Sequence, residues 1–215
     1  MTPMKKSNAE IKLNAEIKLN AVRADAADCK ACPLWKTGTQ TVFGEGPADA
    51  EVMFVGEQPG DKEDIEGKPF VGPAGQLLDR ALREAGIERN KTYVTNAVKH
   101  FKFVPRGKRR LHQKPNTSEI KACRPWFEKE RAIIQPKLIV ALGATAVYSV
   151  FGKTMPIGKN RGKIIELAGD MHGLITVHPS FLLRVFPEDR EREYNAFLRD
   201  LKIVNHYLQQ EQRAA

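Results

Sequence analysis

The run EVMFVGEQPGD, Glu51 to Asp61, decides the fold class. Its first five residues are a short apolar stretch of the kind buried strands use, and a polar turn punctuated by Gly56, Pro59 and Gly60 follows at once. Three further stretches repeat the pattern: Thr92–Val98 (TYVTNAV), Lys137–Leu142 (KLIVAL) and Leu174–His178 (LITVH). Helical spacing lies between them. Leu77, Leu78, Ala81 and Leu82 mark a helix over Ala74–Ala85, with Gly86 as its C-terminal stop. Thr117 or Ser118 caps a helix running towards Ile134, with Pro125 as a source of a kink, and a last helix is expected from near Pro187 through Leu208. Strands separated by helices predict an α/β fold, a three-layer α/β/α arrangement around a central, mostly parallel four-stranded sheet. Ligands of such sheets bind beyond the carboxyl ends of the strands. The segments after Val55, Val98, Leu142 and His178 should therefore converge on one site.

The rest of the chain sets the boundaries. At 215 residues, 41% hydrophobic and 28% charged, it is long enough for one sizeable core. Residues 1–22 read as a leader, helical or frayed, whose tandem hexad NAEIKLNAEIKLN has no assigned function; residues 23–210 read as a single domain. The formal charge of +9 favours a polyanionic partner, nucleic acid before others, with a basic but inert surface as the alternative. No apolar run approaches the ~20 residues of a membrane span, and MTPMKKSNAEIKLN lacks an apolar signal region. Three cysteines do not close a disulfide framework. A cytoplasmic protein without membrane attachment is expected, its cysteines free or bound to metal.

The strand ends carry the candidate chemistry. The turn Gly56–Asp61 holds two carboxylates, Glu57 and Asp61, and the amide of Gln58; it is either a site or a solvated turn. Gly67–Gly75 (GKPFVGPAG) either approaches a phosphate and sets Phe70 against a flat ligand, or places Phe70 in the core. The amide of Asn96 offers a donor and an acceptor side by side, or bonds neighbouring backbone. His178 closes the fourth strand facing the crevice, and Ser180 is a plausible N-cap. Phe181, Leu182, Leu183 and Arg184 follow as a wedge or as the first turn of a packed helix. Cys29-x-x-Cys32 and Cys123 supply three soft ligands, which by themselves suit a zinc site. Residues 101–116 form an inserted basic loop: Lys102, Arg106, Lys108, Arg109, Arg110 and Lys114 occur with no acid before Glu119. Such a run seeks phosphates or water, and composition alone makes His112 a bystander in it.

These segments in order (GEQPG, GKPFVGPAGQLLDRAL, YVTNAVK, ALGATA and VHPS) resemble the uracil-DNA glycosylase superfamily, specifically its iron–sulfur family 4, from about Cys29 to Leu201. GEQPGDKED, KHFKF and the loop ending KRR-aliphatic-His resemble its X-type branch (UdgX), with Leu111 as the aliphatic residue. The resemblance implies uracil-containing DNA, single- or double-stranded, as the partner of a monomeric enzyme. It implies a [4Fe–4S] cluster on Cys29, Cys32, His100 and Cys123, with His100 at a position where family 4 has cysteine, and zinc as the alternative. It assigns uracil binding to Gly56, Phe70 and Asn96, whose amide matches the N3–H and O4 edge of the base. His178 would stabilise the leaving uracil anion, and Glu57, with Asp61 as runner-up, the developing sugar cation. Gln58 would orient the attacking group. Lys108, Arg109, Arg110, Ser180, Leu183 and Arg184 would contact DNA. The X-type likeness further implies that His112 attacks C1′ and stays attached. A turnover family 4 glycosylase and a non-catalytic DNA-binding module are the competing expectations.

Overall fold

A computed structural model of the chain describes residues 7–169 and 171–214. Its elements run α1 (Asn8–Ala27), β1 (Val52–Gly56), α2 (Asp61–Glu66), α3 (Pro73–Glu84), β2 (Thr92–Asn96), β3 (Phe103–Arg106), β4 (Arg109–His112), α4 (Thr117–Ile134), β5 (Leu138–Leu142), α5 (Ala144–Phe151), α6 (Ile157–Asn160), β6 (Ile164–Glu166), β7 (His172–Thr176), α7 (Pro179–Leu182) and α8 (Pro187–Ala214). The central sheet has the order β2-β1-β5-β7-β6. Four strands are parallel, as expected, and β6 adds a fifth, antiparallel to β7. The expectation of four strands missed β6 because three largely solvent-facing residues are too short to show a period.

Alternation along β1 explains the layering. Val52 and Phe54 face Leu78 and Leu82 of α3 and Phe197 and Leu201 of α8. Met53 and Val55 face Leu19 of α1, Phe127 of α4 and Val147 of α5. Each such aliphatic or aromatic side chain contributes about 1.5–3 kcal/mol by leaving water, which makes a one-residue slip of register prohibitive. Gly86 (φ +77°) follows α3 in the left-handed conformation that ends helices. The cap of α4 is Asn116, not Thr117 or Ser118: its side chain accepts from Glu119 N (2.9 Å), and the Glu119 carboxylate accepts from Asn116 N (2.7 Å). Pro125 sits inside α4, which runs on past it to Ile134.

Of the leader, residues 1–6 lie outside the described residues, and α1 begins at a Ser7–Glu10 capping box. Leu19 is buried while Leu13, its copy six residues earlier, is exposed. Six residues turn a helix through about 240° beyond a full revolution, so the two copies of the hexad present different faces. The basic insertion is a β-hairpin rather than an irregular loop: β3 pairs antiparallel with β4, and Arg106 lies opposite Arg109. Gly107, with φ +59°, occupies the first of two turn positions, where a II′ turn needs a glycine.

A buried ion pair joins the layers. Lys99 Nζ lies 2.6 Å from Glu130 Oε2, with neither side chain exposed. Glu130 also accepts from Gly44 N (3.0 Å), Tyr93 OH (2.9 Å) and Thr95 Oγ1 (3.0 Å), while Lys99 Nζ also donates to Thr95 Oγ1 (2.5 Å) and the Asn96 carbonyl (3.0 Å). Each charge thus has a full set of partners, the condition under which burial is tolerable. Lys99→Met should lower unfolding stability by about 3–5 kcal/mol, because Glu130 is left charged and unpaired. In urea titrations Lys99→Met/Glu130→Leu should cost less than the sum of the single changes.

Candidate active site

At the carboxyl ends of the parallel strands lies a cleft of about 690 Å³, whose walls include Glu57, Phe70, Asn96, His112 and His178. All four strand ends contribute to it. The segments expected to converge do so, with β2 stopping at Asn96 rather than Val98 and β7 at Thr176 rather than His178. Past Asn96 the chain leaves the sheet, yet Ala97 N and Val98 N still bond the carbonyls of Gly56 and Glu57 (both 3.0 Å). That pairing locks the turn after β1 to the turn after β2.

Gly56 and Asn96 are register partners. A Cβ on Gly56 would lie 2.3 Å from Asn96 Oδ1 and 2.7 Å from Phe70 Cζ, so only glycine leaves room for both. The Asn96 amide opens on the cleft, and among the described residues no protein group engages it; Lys99 takes the Asn96 backbone carbonyl instead. Phe70 has φ +59°, a left-handed conformation that costs a non-glycine residue about 1–3 kcal/mol. Gly75 permits it, since a Cβ there would overlap the Phe70 carbonyl. The strained backbone holds the Phe70 ring 6.1 Å from that of His178, at 30° between planes.

His178 is itself the N-cap of α7, in place of the expected Ser180: its Nδ1 accepts from Ser180 N (3.1 Å) and lies 2.8 Å from Ser180 Oγ. A ring nitrogen that accepts from a backbone N–H carries no proton, so in the neutral ring Nε2 carries it. Burial pushes the His178 pKa down to about 4, against the pull of Glu57, so the ring is neutral near pH 7. Glu57 lies between two partners: Oε1 is 3.2 Å from His112 Nε2, and Oε2 accepts from Thr145 Oγ1. Burial acts to raise its carboxyl, but the hydrogen bonds from His112 and Thr145 outweigh it and hold the pKa below the usual carboxylate range.

The second carboxylate is spoken for. Asp61 Oδ1 lies 2.5 Å from Arg110 Nε, and Arg110 Nη1 lies 2.6 Å from the buried Asp64. The Arg110 guanidinium also lies over the rings of Phe101 and Phe103 (5.4 and 5.1 Å). Arg110 therefore faces the protein and fastens the hairpin to α2, whereas Lys108 and Arg109 are exposed at the hairpin turn. The Gln58 amide is taken as well: Nε2 donates to the carbonyls of Lys102 (3.1 Å) and Gln113 (3.0 Å), and Oε1 accepts from Lys102 N (3.1 Å). It clamps both ends of the hairpin and leaves little capacity for an attacking group. Ser180, Leu183 and Arg184 line the mouth of the cleft, while Leu182 is buried.

Cys32 and Cys123 pack with Leu34, Val98 and Ile120 in a separate apolar cluster. Cys123 Sγ accepts from Lys99 N and Cys29 Sγ from Trp126 Nε1, each at 3.1 Å. Burial pushes the Cys123 thiol up to about 12 and the His100 imidazole down. His100 is buried, with Nε2 3.3 Å from Thr41 Oγ1 in the segment that follows the two N-terminal cysteines.

Strand-end carboxylate, amide and imidazole thus stand around an aromatic side chain, and residues 43–202 match the family model of the uracil DNA glycosylase superfamily. The chain belongs to that superfamily. It is 45% identical to a type-4 uracil-DNA glycosylase of Thermotoga maritima over 73% of this chain and 78% of that protein. Type-4 uracil-DNA glycosylases of Sulfurisphaera tokodaii and Pyrobaculum aerophilum are 41% and 40% identical, over 69% and 73% of this chain and 63% and 80% of theirs.

Two residues of the site lie within the quoted motifs ALGATA and GEQPGDKED but were assigned no role from sequence. Thr145 sits in a helix that reads as apolar, and Glu63, a nearly buried cleft residue whose Oε1 accepts from Gly72 N (2.9 Å), sits in a run of acids that reads as solvated. Gly56→Ala should remove base binding while leaving the fold intact, because the added methyl takes the volume between Asn96 and Phe70. Unchanged circular dichroism with at least a hundredfold loss of uracil release (about 3 kcal/mol) is the expected pair of results.

Proposed function

We propose that the protein flips uracil out of DNA, cleaves its N-glycosidic bond and is then joined through His112 to C1′ of the abasic site. The observation that carries this reading is the 3.2 Å approach of His112 Nε2 to Glu57 Oε1 at the cleft that also holds Asn96, Phe70 and His178. Phe70 stacks on the flipped base and the free Asn96 amide pairs with its N3–H and O4. As the C1′–N1 bond breaks, its electron pair leaves with uracil, and the neutral His178 donates its Nε2 proton as a hydrogen bond to O2. The sugar becomes cationic, and the ionised Glu57 stabilises it. A lone pair of the His112 ring then forms the bond to C1′, and the positive charge passes to an imidazolium beside Glu57. Uracil takes its proton from solvent. Gln58 and Arg110 hold the hairpin that presents His112, and Lys108, Arg109 and Arg184 meet phosphates.

Asp61 is set aside as the main carboxylate, because Arg110 already neutralises it. Incubation with uracil-containing single-stranded DNA should yield a denaturation-resistant protein–DNA band that His112→Ala abolishes, and Glu57→Gln should slow uracil release at least a hundredfold. Free abasic DNA released over many turnovers would assign the chain to turnover chemistry instead, and no uracil release to a binding module.

Cys29, Cys32, His100 and Cys123 fit a [4Fe–4S] cluster. Cys32 and Cys123 lie in an apolar cluster, and a backbone and an indole N–H point at the sulfurs of Cys123 and Cys29, hydrogen bonds of the kind that tune a metal-bound thiolate. Among the described residues no three His, Cys, Asp or Glu side chains gather as a single-ion site. When bound, the cluster supplies a crosslink between the Cys29–Cys32 segment, the end of β2 and α4. Purified protein should be brown and contain iron, and a colourless protein with one equivalent of zinc would overturn the cluster.

A further inference from the structure

Thr145 belongs to none of the roles above, yet it touches the central carboxylate. It lies in the first turn of α5, whose N-cap is Gly143, and it is 2% exposed. The helix start is fixed from two sides. Gly143 N bonds the Thr176 carbonyl (3.0 Å), and Gly143 adopts φ +86° where a Cβ would stand 3.1 Å from His178 Cβ. At the second position of α5 no helical turn precedes Thr145, so its hydroxyl has no earlier helical carbonyl to turn back to. It donates to Glu57 Oε2 instead.

We propose that Thr145 is a positioning residue for uracil excision, its hydroxyl holding one oxygen of Glu57 so that the other faces His112. The inference rests on the function proposed above. A carboxylate side chain has two rotatable bonds before its terminal group, and in a cleft of about 690 Å³ it has room to turn away. A single buried donor on a helix whose start is bonded to the Thr176 carbonyl removes that freedom, and the N-terminus of α5 favours an anion beside it. The charged and titratable neighbours of Glu57 are His112 from β4 and His178 after β7, with Arg184 acting on His178. The hydroxyl adds no charge to this set. Its loss therefore alters the orientation and basicity of Glu57 without changing the net charge of the site. Removing a donor to the ionised form raises the carboxyl pKa, so the acid limb of excision should move to higher pH.

The test compares wild type, Thr145→Val and Thr145→Ser on a uracil-containing single-stranded oligonucleotide. Single-turnover uracil release and covalent adduct are followed from acid to neutral pH. Thr145→Val should slow release about tenfold, shift the acid limb upward and leave DNA affinity unchanged. Thr145→Ser should retain both rate and profile. Wild-type behaviour of Thr145→Val, or equal impairment of the two variants, would overturn the proposal. If circular dichroism shows Thr145→Val to be unfolded, Thr145→Ala replaces it, with the same outcomes deciding. Absence of uracil release from wild type would instead sink the parent reading.

Discussion

Lys99 and Glu130 meet where no water reaches either side chain, and three parts of the molecule are fixed by that contact. Through Nζ, Lys99 holds the Asn96 carbonyl at the point where β2 leaves the sheet. Through its backbone N–H it bonds Cys123, and through its carbonyl it receives Val42 N (2.7 Å) from the segment after the N-terminal cysteines. Glu130 brings α4 against the same point and collects Tyr93, Thr95 and Gly44. Such a pair contributes little net stability compared with an apolar replacement, but it permits one arrangement only, since any shift strands a charge. The cysteine segment and the cleft residue Asn96 are thereby fixed by one residue.

The cleft follows from this rigidity. Glu57, Asn96 and His178 each stand within two residues of the end of a parallel strand, and the backbone bonds of Ala97 and Val98 keep the first two turns in step. Electrostatics then separate chemically similar groups. Asp61 and Glu57 occupy one turn, but Arg110 takes the first and leaves the second to His112 and Thr145. His178 and His112 are both imidazoles near one carboxylate. Burial and the Ser180 N–H fix the charge and tautomer of His178, whereas His112 stands nearly half exposed, at 47%, on the hairpin.

The parallel core of the fold was legible because buried parallel strands are nearly continuous apolar runs, and the same rule marked the strand ends as the site. The failures share a cause, which is that partners distant in sequence decide them. Ile164–Glu166 becomes a strand only because β7 offers an open edge. The hairpin Phe103–His112 shows no alternation, since it carries Pro105 and four cations and has only Gly107 to announce its turn. Gln58 looked available for chemistry until Lys102 and Gln113, more than forty residues away, took its amide. Thr145 stood in a quoted motif, but its role was hidden for the same reason, because its partner lies 88 residues upstream. The expectation of cluster ligands rests on family likeness alone, for CxxC and a distant cysteine equally suit zinc.

The hairpin has its two ends tied down and its turn free. Gln58 grips the backbone at Lys102 and Gln113, Arg110 anchors the middle of β4, and His112 sits beside the gripped end, opposite Phe103. Arg106, Gly107, Lys108 and Arg109 form the far end, with no such anchorage in the network above. The arrangement works like a lever clamped at its fulcrum: the tip can shift while the imidazole keeps its place. The position of the tip and that of the imidazole thus vary independently, and the tip is free to gain or lose charge over evolutionary time without disturbing the residue at its base.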